Sequence, residues 1–249
     1  ARALVAAGAD VILAVRNTSL GKQRATEIGG TTQVVPLDLA DLASVRAFPG
    51  LIDGDIDILI NNAGAVTQHR TETVDGYETM LGTNALGPFA LTNLLLPRVG
   101  SLIINVGSDA HRSATWHPED MHLRRHRWTP MGAYARSKLA VMLWGLELDR
   151  RLRAAGSPVV AQLTHPGWVA SNLSHVSDSP LMSLTHRIVK TAANRLANDI
   201  DEGAAPTLYC ISEPIPPGSY IGVSGWRGLR GGPVLIGRSV LACDYDAAA

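Results

Sequence analysis

Tyr134 and Lys138 stand four residues apart in "GAYARSKLAVML", an otherwise apolar, helix-favouring run from Gly132 to Leu143. Side chains at i and i+4 share one face of a helix, so a phenol and an ammonium are offered together. A free tyrosine has a pKa of about 10, which makes it a weak acid and a scarce base at neutral pH. A nearby cation favours the phenolate. A positioned acid or base of this kind is worth about 10² to 10⁴ in rate. The bland alternative is two side chains that snorkel to water. Other polar residues follow runs of Val, Ile and Leu: Arg16 after "LAV", Asp38 in "VVPLDLAD", Asn61 and Asn62 in "ILINNAG", Ser108 in "IINVGSDAH", and Pro166, Gly167 and Ser171 in "THPGWVAS". Ala63 and Gly64 leave room for a close ligand.

The elements that must position these residues alternate. Strands are expected at Val11–Val15, Gln33–Leu37, Ile56–Ile60, Leu102–Val106 and Val159–Leu163, each a continuous apolar run, as in parallel strands buried on both faces. Helices are expected near Leu20–Ile28, Leu42–Phe48, Gly76–Leu96 and Met131–Ala154. This rhythm predicts an α/β fold with a doubly wound, mostly parallel sheet in a single domain spanning residues 1–249. The polar residues then converge at the carboxyl ends of the strands, where such sheets bind ligands. Two long segments, Asp109–Pro130 and Asn172–Asn198, fall at strand ends and are candidate substrate loops, the second with a helix in it.

Composition narrows the function classes. Lys+Arg and Asp+Glu both number 22 and cancel, which argues against nucleic acid or an anionic membrane surface as the main partner. Hydrophobic residues make up 46% and charged residues 18%, the make-up of a packed globule. Two cysteines, Cys210 and Cys243, are too few for a disulfide framework and have no metal-type spacing, so a reducing, cytoplasmic setting is expected. No apolar run approaches the roughly 20 residues of a membrane span. Asp10 and Arg16 interrupt the apolar start, which therefore does not read as a signal sequence.

"NNAG", a serine ending a strand and Tyr-x-x-x-Lys in "YARSK", in that order, resemble the short-chain dehydrogenase/reductase family over nearly the whole chain. "TNALGPFALTNLLLP" and "AYARSKLA" further resemble its retinol-dehydrogenase-like branch. The resemblance implies a Rossmann-type fold and a role for each matching residue. Tyr134 would be the general acid/base, Lys138 would bind the nicotinamide ribose, Ser108 would orient the substrate carbonyl, and Asn84 in "GTNALG" would hold a proton-relay water. Asn61 to Gly64 (Ala63 among them) would pass beside the cofactor, and Asp38, with Leu39 next to it, would meet the adenine amine. Pro166, Gly167, Val169 and Ser171 would clasp the nicotinamide amide; the family usually has threonine where Ser171 stands.

Arg16 bears on the choice of cofactor. A dinucleotide site often has an acid here for the ribose 2′-hydroxyl, whereas an arginine suits a 2′-phosphate. The expectation is NADP rather than NAD. The family's glycine fingerprint, Thr-Gly-x-x-x-Gly-x-Gly after a first strand, is not among these residues; "GLRGGP" at Gly228–Pro233 reads as a turn. The sequence is therefore expected to be a fragment of a longer reading frame. Its first strand, expected between those ending near Val15 and Ile60, and its phosphate cradle would lie outside, leaving dinucleotide binding weak as given.

The leading expectation is an NADP-dependent oxidoreductase that interconverts an apolar alcohol and its aldehyde or ketone. The alternatives are a sugar-nucleotide epimerase or dehydratase, which shares Tyr-x-x-x-Lys, and a scaffold that kept the fold without turnover. His111, His117, His122 and His126 cluster in the polar insertion, but their spacing matches no closed zinc set and lacks cysteine; they read as loop histidines, with no metal expected. "RRHR" at Arg124–Arg127 reads as a solvated face. Trp116, Trp128 and Trp168 read either as walls of an apolar pocket or as packing. The long helices at Gly76–Leu96 and Met131–Ala154 are surfaces that relatives use to form dimers and tetramers.

Overall fold

A computed structural model describes residues 1–167, 199–225, 230–244 and 246. The elements run α1 (Arg2–Ala6), β1 (Val11–Val15), α2 (Thr18–Ile28), β2 (Thr32–Pro36), α3 (Leu42–Ala47), β3 (Ile56–Asn61), α4 (Thr79–Leu81), α5 (Gly87–Leu95), β4 (Val99–Val106), α6 (Pro130–Ala154), β5 (Val160–Thr164), α7 (Ile200–Ser212), β6 (Tyr220–Val223) and β7 (Pro233–Leu235). β1 and β2 form a parallel pair, and a second sheet has the order β3-β4-β5-β6-β7. Within the second sheet only the β6–β7 pairing is antiparallel. Among the described residues the two sheets are not hydrogen-bonded to each other.

The apolar runs form strands because both of their faces are covered. Ile103 and Ile104 are neighbours on β4 and point to opposite sides. Ile103 joins Val35, Val45, Phe48, Leu91, Leu95 and Ala161 in the core toward α3 and α5. Ile104 packs with Cys210 of α7 and Ile221 of β6 on the other face. A third cluster gathers Leu139 to Leu143 of α6 against Leu163 of β5 and Tyr220 of β6. Helix starts follow local chemistry. The Asn17 side chain accepts from Leu20 N–H, Asp41 from Ala43 N–H and Thr129 from Gly132 N–H, each replacing a partner the first turn lacks. Asp199 and Glu202 form a reciprocal capping box at α7.

Four expectations are corrected. The helix expected from Gly76 begins only at Thr79. Gly76 takes φ +81° in a turn, Glu72 and Glu78 pair as a β-bridge, and the Glu78 side chain caps the helix by accepting from Leu81 N–H. A π-helical turn, Gly82–Leu86, then separates α4 from α5. Pro233, expected at the end of a turn, instead opens β7. The expected strands also omit β6 and β7. Trp168, Val169, Ser171 and Asn172–Asn198 lie outside the described residues. Among the described residues no helix is long and apolar enough to cross a membrane.

Candidate active site

Ser108, Tyr134 and Lys138 meet at the carboxyl end of β4. Ser108 follows the strand and caps a short 3-10 turn, its hydroxyl accepting from Ala110 N–H at 3.2 Å. Its carbonyl accepts from His111 Nδ1 at 2.7 Å, while His111 Nε2 accepts from Ser239 N–H at 3.3 Å. This fully buried ring thus fixes the Ser108 turn from below. Tyr134 sits in the second turn of α6, and Ser108 hydrogen-bonds its phenol. The Lys138 ammonium lies 5.8 Å from the Tyr134 ring centroid and donates to Val106 O at 2.9 Å.

Burial dominates the protonation of this pair. It pushes the Tyr134 phenol above its usual range, and the Ser108 hydrogen bond only partly offsets that. Complete burial pulls the Lys138 amine down to about 8. The sequence-based reading counts on Lys138 together with an oxidised nicotinamide to favour the phenolate; in the protein alone burial decides, and the phenol is pushed up. The cost of desolvating a phenolate outweighs the lysine, whose amine faces the Val106 carbonyl. Across neutral pH the Tyr134 phenol stays protonated.

Asn84, in the π turn, is spent on the main chain. Its Oδ1 accepts from Ala65 N–H at 2.6 Å, and its Nδ2 donates to Ala65 O at 3.0 Å and to Ser137 Oγ at 2.9 Å. The amide thereby pins the segment after "NNAG" beside Lys138. A side chain at Gly64 would stand 3.5 Å from Asn84 Oδ1 and 3.7 Å from Lys138 Nζ. Asn61 faces inward instead, with Nδ2 donating to Thr92 Oγ1 and Asn105 Oδ1, both at 2.8 Å. Asn61 ties β3 to β4 and α5, and Ala63 is exposed just beyond it.

The remaining expected contacts lie along the same rim. Asp38 accepts from Ala40 N–H at 2.9 Å, and its own N–H donates to Ser44 Oγ. Leu39 packs against the core, and its carbonyl runs so close to α5 that a Cβ at Gly87 would come within 2.3 Å of it. Arg16 is exposed at the end of β1. Pro166 and Gly167 follow β5, with Gly167 at φ +70°.

The polar insertion is built on Asp120. Its carboxylate accepts from the N–H groups of Arg124, Arg125 and His126 and from His126 Nδ1 at 2.8–2.9 Å. Burial alone would raise this carboxyl, but those hydrogen bonds outweigh it and hold the group well below its usual range. The buried Arg136 of α6 donates to Asp120 O at 2.8 Å and fastens the loop to that helix. Trp128 donates Nε1–H to the buried Glu78 and packs with Val66, Met80 and Leu123 beside Tyr134. Trp116 packs elsewhere, against the cluster around α6 and β5. His117, Glu119 and His126 bring one donor atom each to within 4.8 Å of one another. The two rings are stacked, however, at 4.0 Å and 17°, so their in-plane lone pairs run side by side rather than to a common point.

The sequence profile of short-chain dehydrogenases matches residues 1–180. The chain belongs to the short-chain dehydrogenase family. Among curated members it is 36% identical to a mouse polyprenol dehydrogenase over 222 residues, covering 83% of this chain and 61% of that protein. It is 38% identical to human retinol dehydrogenase 12 over 234 residues, covering 87% and 70%. The chain thus spans 61% to 70% of the length of these two short-chain dehydrogenases. Among solved structures, an uncharacterised protein of Mycobacterium paratuberculosis superposes with TM-score 0.83 at 42% identity, covering 99% of this chain and 82% of that one. Pseudomonas aeruginosa RhlG in an NADP active-site complex superposes with TM-score 0.56 at 25% identity, covering 72% and 71%.

Proposed function

We propose that this protein is an NADP-dependent oxidoreductase that interconverts an apolar alcohol and its aldehyde or ketone by hydride transfer, with Tyr134 as general acid and base. The observation that carries the reading is the meeting of Ser108, Tyr134 and Lys138 at the carboxyl end of β4, with the Tyr134 ring packed against an apolar cluster that includes Val66, Met80 and Trp128. The polyprenol and retinol dehydrogenase relatives support an apolar alcohol as substrate, and the RhlG complex supports NADP.

The residues fit a nicotinamide nucleotide. An ammonium has three donors, and among the described residues Lys138 spends one, on Val106 O. Two remain for ribose hydroxyls. Bound NADPH supplies the hydride. The Ser108 hydroxyl donates to the carbonyl oxygen where negative charge develops. Tyr134, held neutral by burial, gives its phenolic proton to that oxygen; in the opposite direction it must take the proton back. Lys138 holds the ribose and supplies positive charge that stabilises the transient phenolate. The apolar cluster of Trp128, Met80 and Val66 backs the Tyr134 ring and keeps it desolvated.

The test is Tyr134→Phe in the full-length protein, assayed for NADPH-dependent reduction of retinal and of a panel of long-chain aldehydes. A fall of about 10² to 10⁴ in kcat with an unchanged melting temperature is expected. A variant that turns over at the wild-type rate would remove this mechanism.

A further inference from the structure

His165 directly follows β5 and precedes Pro166 and Gly167, and its ring is 2% exposed. Its main chain continues the strand, with His165 N–H donating to Ile221 O at 2.9 Å. Its Nδ1 accepts from Gly167 N–H at 3.0 Å. That bond, from a residue to the N–H two positions on, is the pattern by which short polar side chains set a turn. Gly167 adopts the left-handed φ of +70° that the turn requires.

Because Nδ1 accepts, the neutral ring carries its proton on Nε2. Nε2 is buried and has no hydrogen-bond partner among the described residues. The acceptor facing it is Asp109 Oδ2 at 3.7 Å. Asp109 is the residue after Ser108, and its Oδ1 accepts from the buried Tyr220 hydroxyl at 3.3 Å. The pocket is shaped to the ring. A side chain at Gly222 of β6 would come within 2.4 Å of His165 Nε2, and Tyr220 lies 5.6 Å away between centroids.

From this arrangement we infer that His165 is a positioning residue that sets the Pro166–Gly167 turn from beneath and, across Asp109, holds it in register with the Ser108 turn. Two separate loops, one expected to meet the nicotinamide and the other carrying Ser108, thus share a bracket of the buried His165 and Tyr220 and the half-buried Asp109. The inference rests on the reading of Pro166 and Gly167 as part of the cofactor site.

The experiment compares His165→Asn and His165→Leu in the full-length protein by NADPH fluorescence titration, steady-state kinetics and thermal melting. Asparagine keeps an acceptor for Gly167 N–H, because its side-chain oxygen makes the same two-residue turn; leucine fills the space without one. The expected result is at least a tenfold rise in the NADPH Kd for His165→Leu and recovery to within about threefold of wild type for His165→Asn, at similar melting temperatures. Equal NADPH affinity in the leucine variant and wild type would overturn the inference, as would equal losses in both variants, which would make the ring only a packing element. A wild-type protein that binds no NADPH would remove the functional reading, and this inference with it.

Discussion

Asn84 Nδ2 donates to Ser137 Oγ at 2.9 Å, and through that bond the π turn ahead of α5 is joined to the residue preceding Lys138. The same amide holds both polar atoms of the Ala65 main chain. Asn84→Ala removes three hydrogen bonds in a buried setting and strands their partners. A loss of about 2 to 4 kcal/mol is expected, read as a lower urea midpoint at unchanged slope. kcat should fall as well, because Lys138 loses its lateral support.

Lys138 gives the protein a pH signature. Its amine titrates near 8 when folded, lowered by burial, against about 10.4 when unfolded. Between those values the unfolded chain holds the extra proton, so stability rises with pH. Relative to Lys138→Met, the wild type should gain up to about 3 kcal/mol from pH 8 to pH 10.5, as measured by denaturant titrations at a series of pH values. A flat difference across that window would mean that the amine is not desolvated.

Gly87 allows Leu39 to pass against α5, where a Cβ would meet the Leu39 carbonyl at 2.3 Å. Backbone cannot swing aside as a side chain does. Gly87→Ala should therefore cost about 1 to 3 kcal/mol and displace the Asp38–Leu39 segment. Kinetically, KM for NADPH should rise more than KM for the aldehyde; the reverse order would place Asp38 away from the cofactor.

Arg16→Glu tests the choice of nucleotide. An exposed arginine at the end of β1 suits a 2′-phosphate, whereas a carboxylate suits a ribose hydroxyl. The ratio of kcat/KM for NADPH over NADH should drop by at least about tenfold, a change of roughly 1.4 kcal/mol. Added salt should weaken NADPH binding to the wild type more than to the variant.

Much of the site was legible because chemistry sits where elements end. Ser108, Tyr134 and Lys138 can be placed from strand runs and an i, i+4 spacing alone, and the structure brings them together. The electrostatics were not legible, since burial decides them and no spacing reports it. The bracket of Asp109, His165 and Tyr220 was also missed, because its members are scattered along the chain and meet only through the sheet. The available signals were a histidine directly before Pro-Gly at a strand end and an aspartate directly after Ser108. Helix α7 escaped because Gly203 and Pro206 interrupt its pattern. β6 and β7 escaped because four and three residues are too short to show a run.

Asp120 gathers the neighbouring peptide groups of its loop, and Arg136 ties it to α6. A designer seeking a different alcohol can exploit that anchorage. Changes elsewhere in the insertion can then be made while α6 keeps its footing.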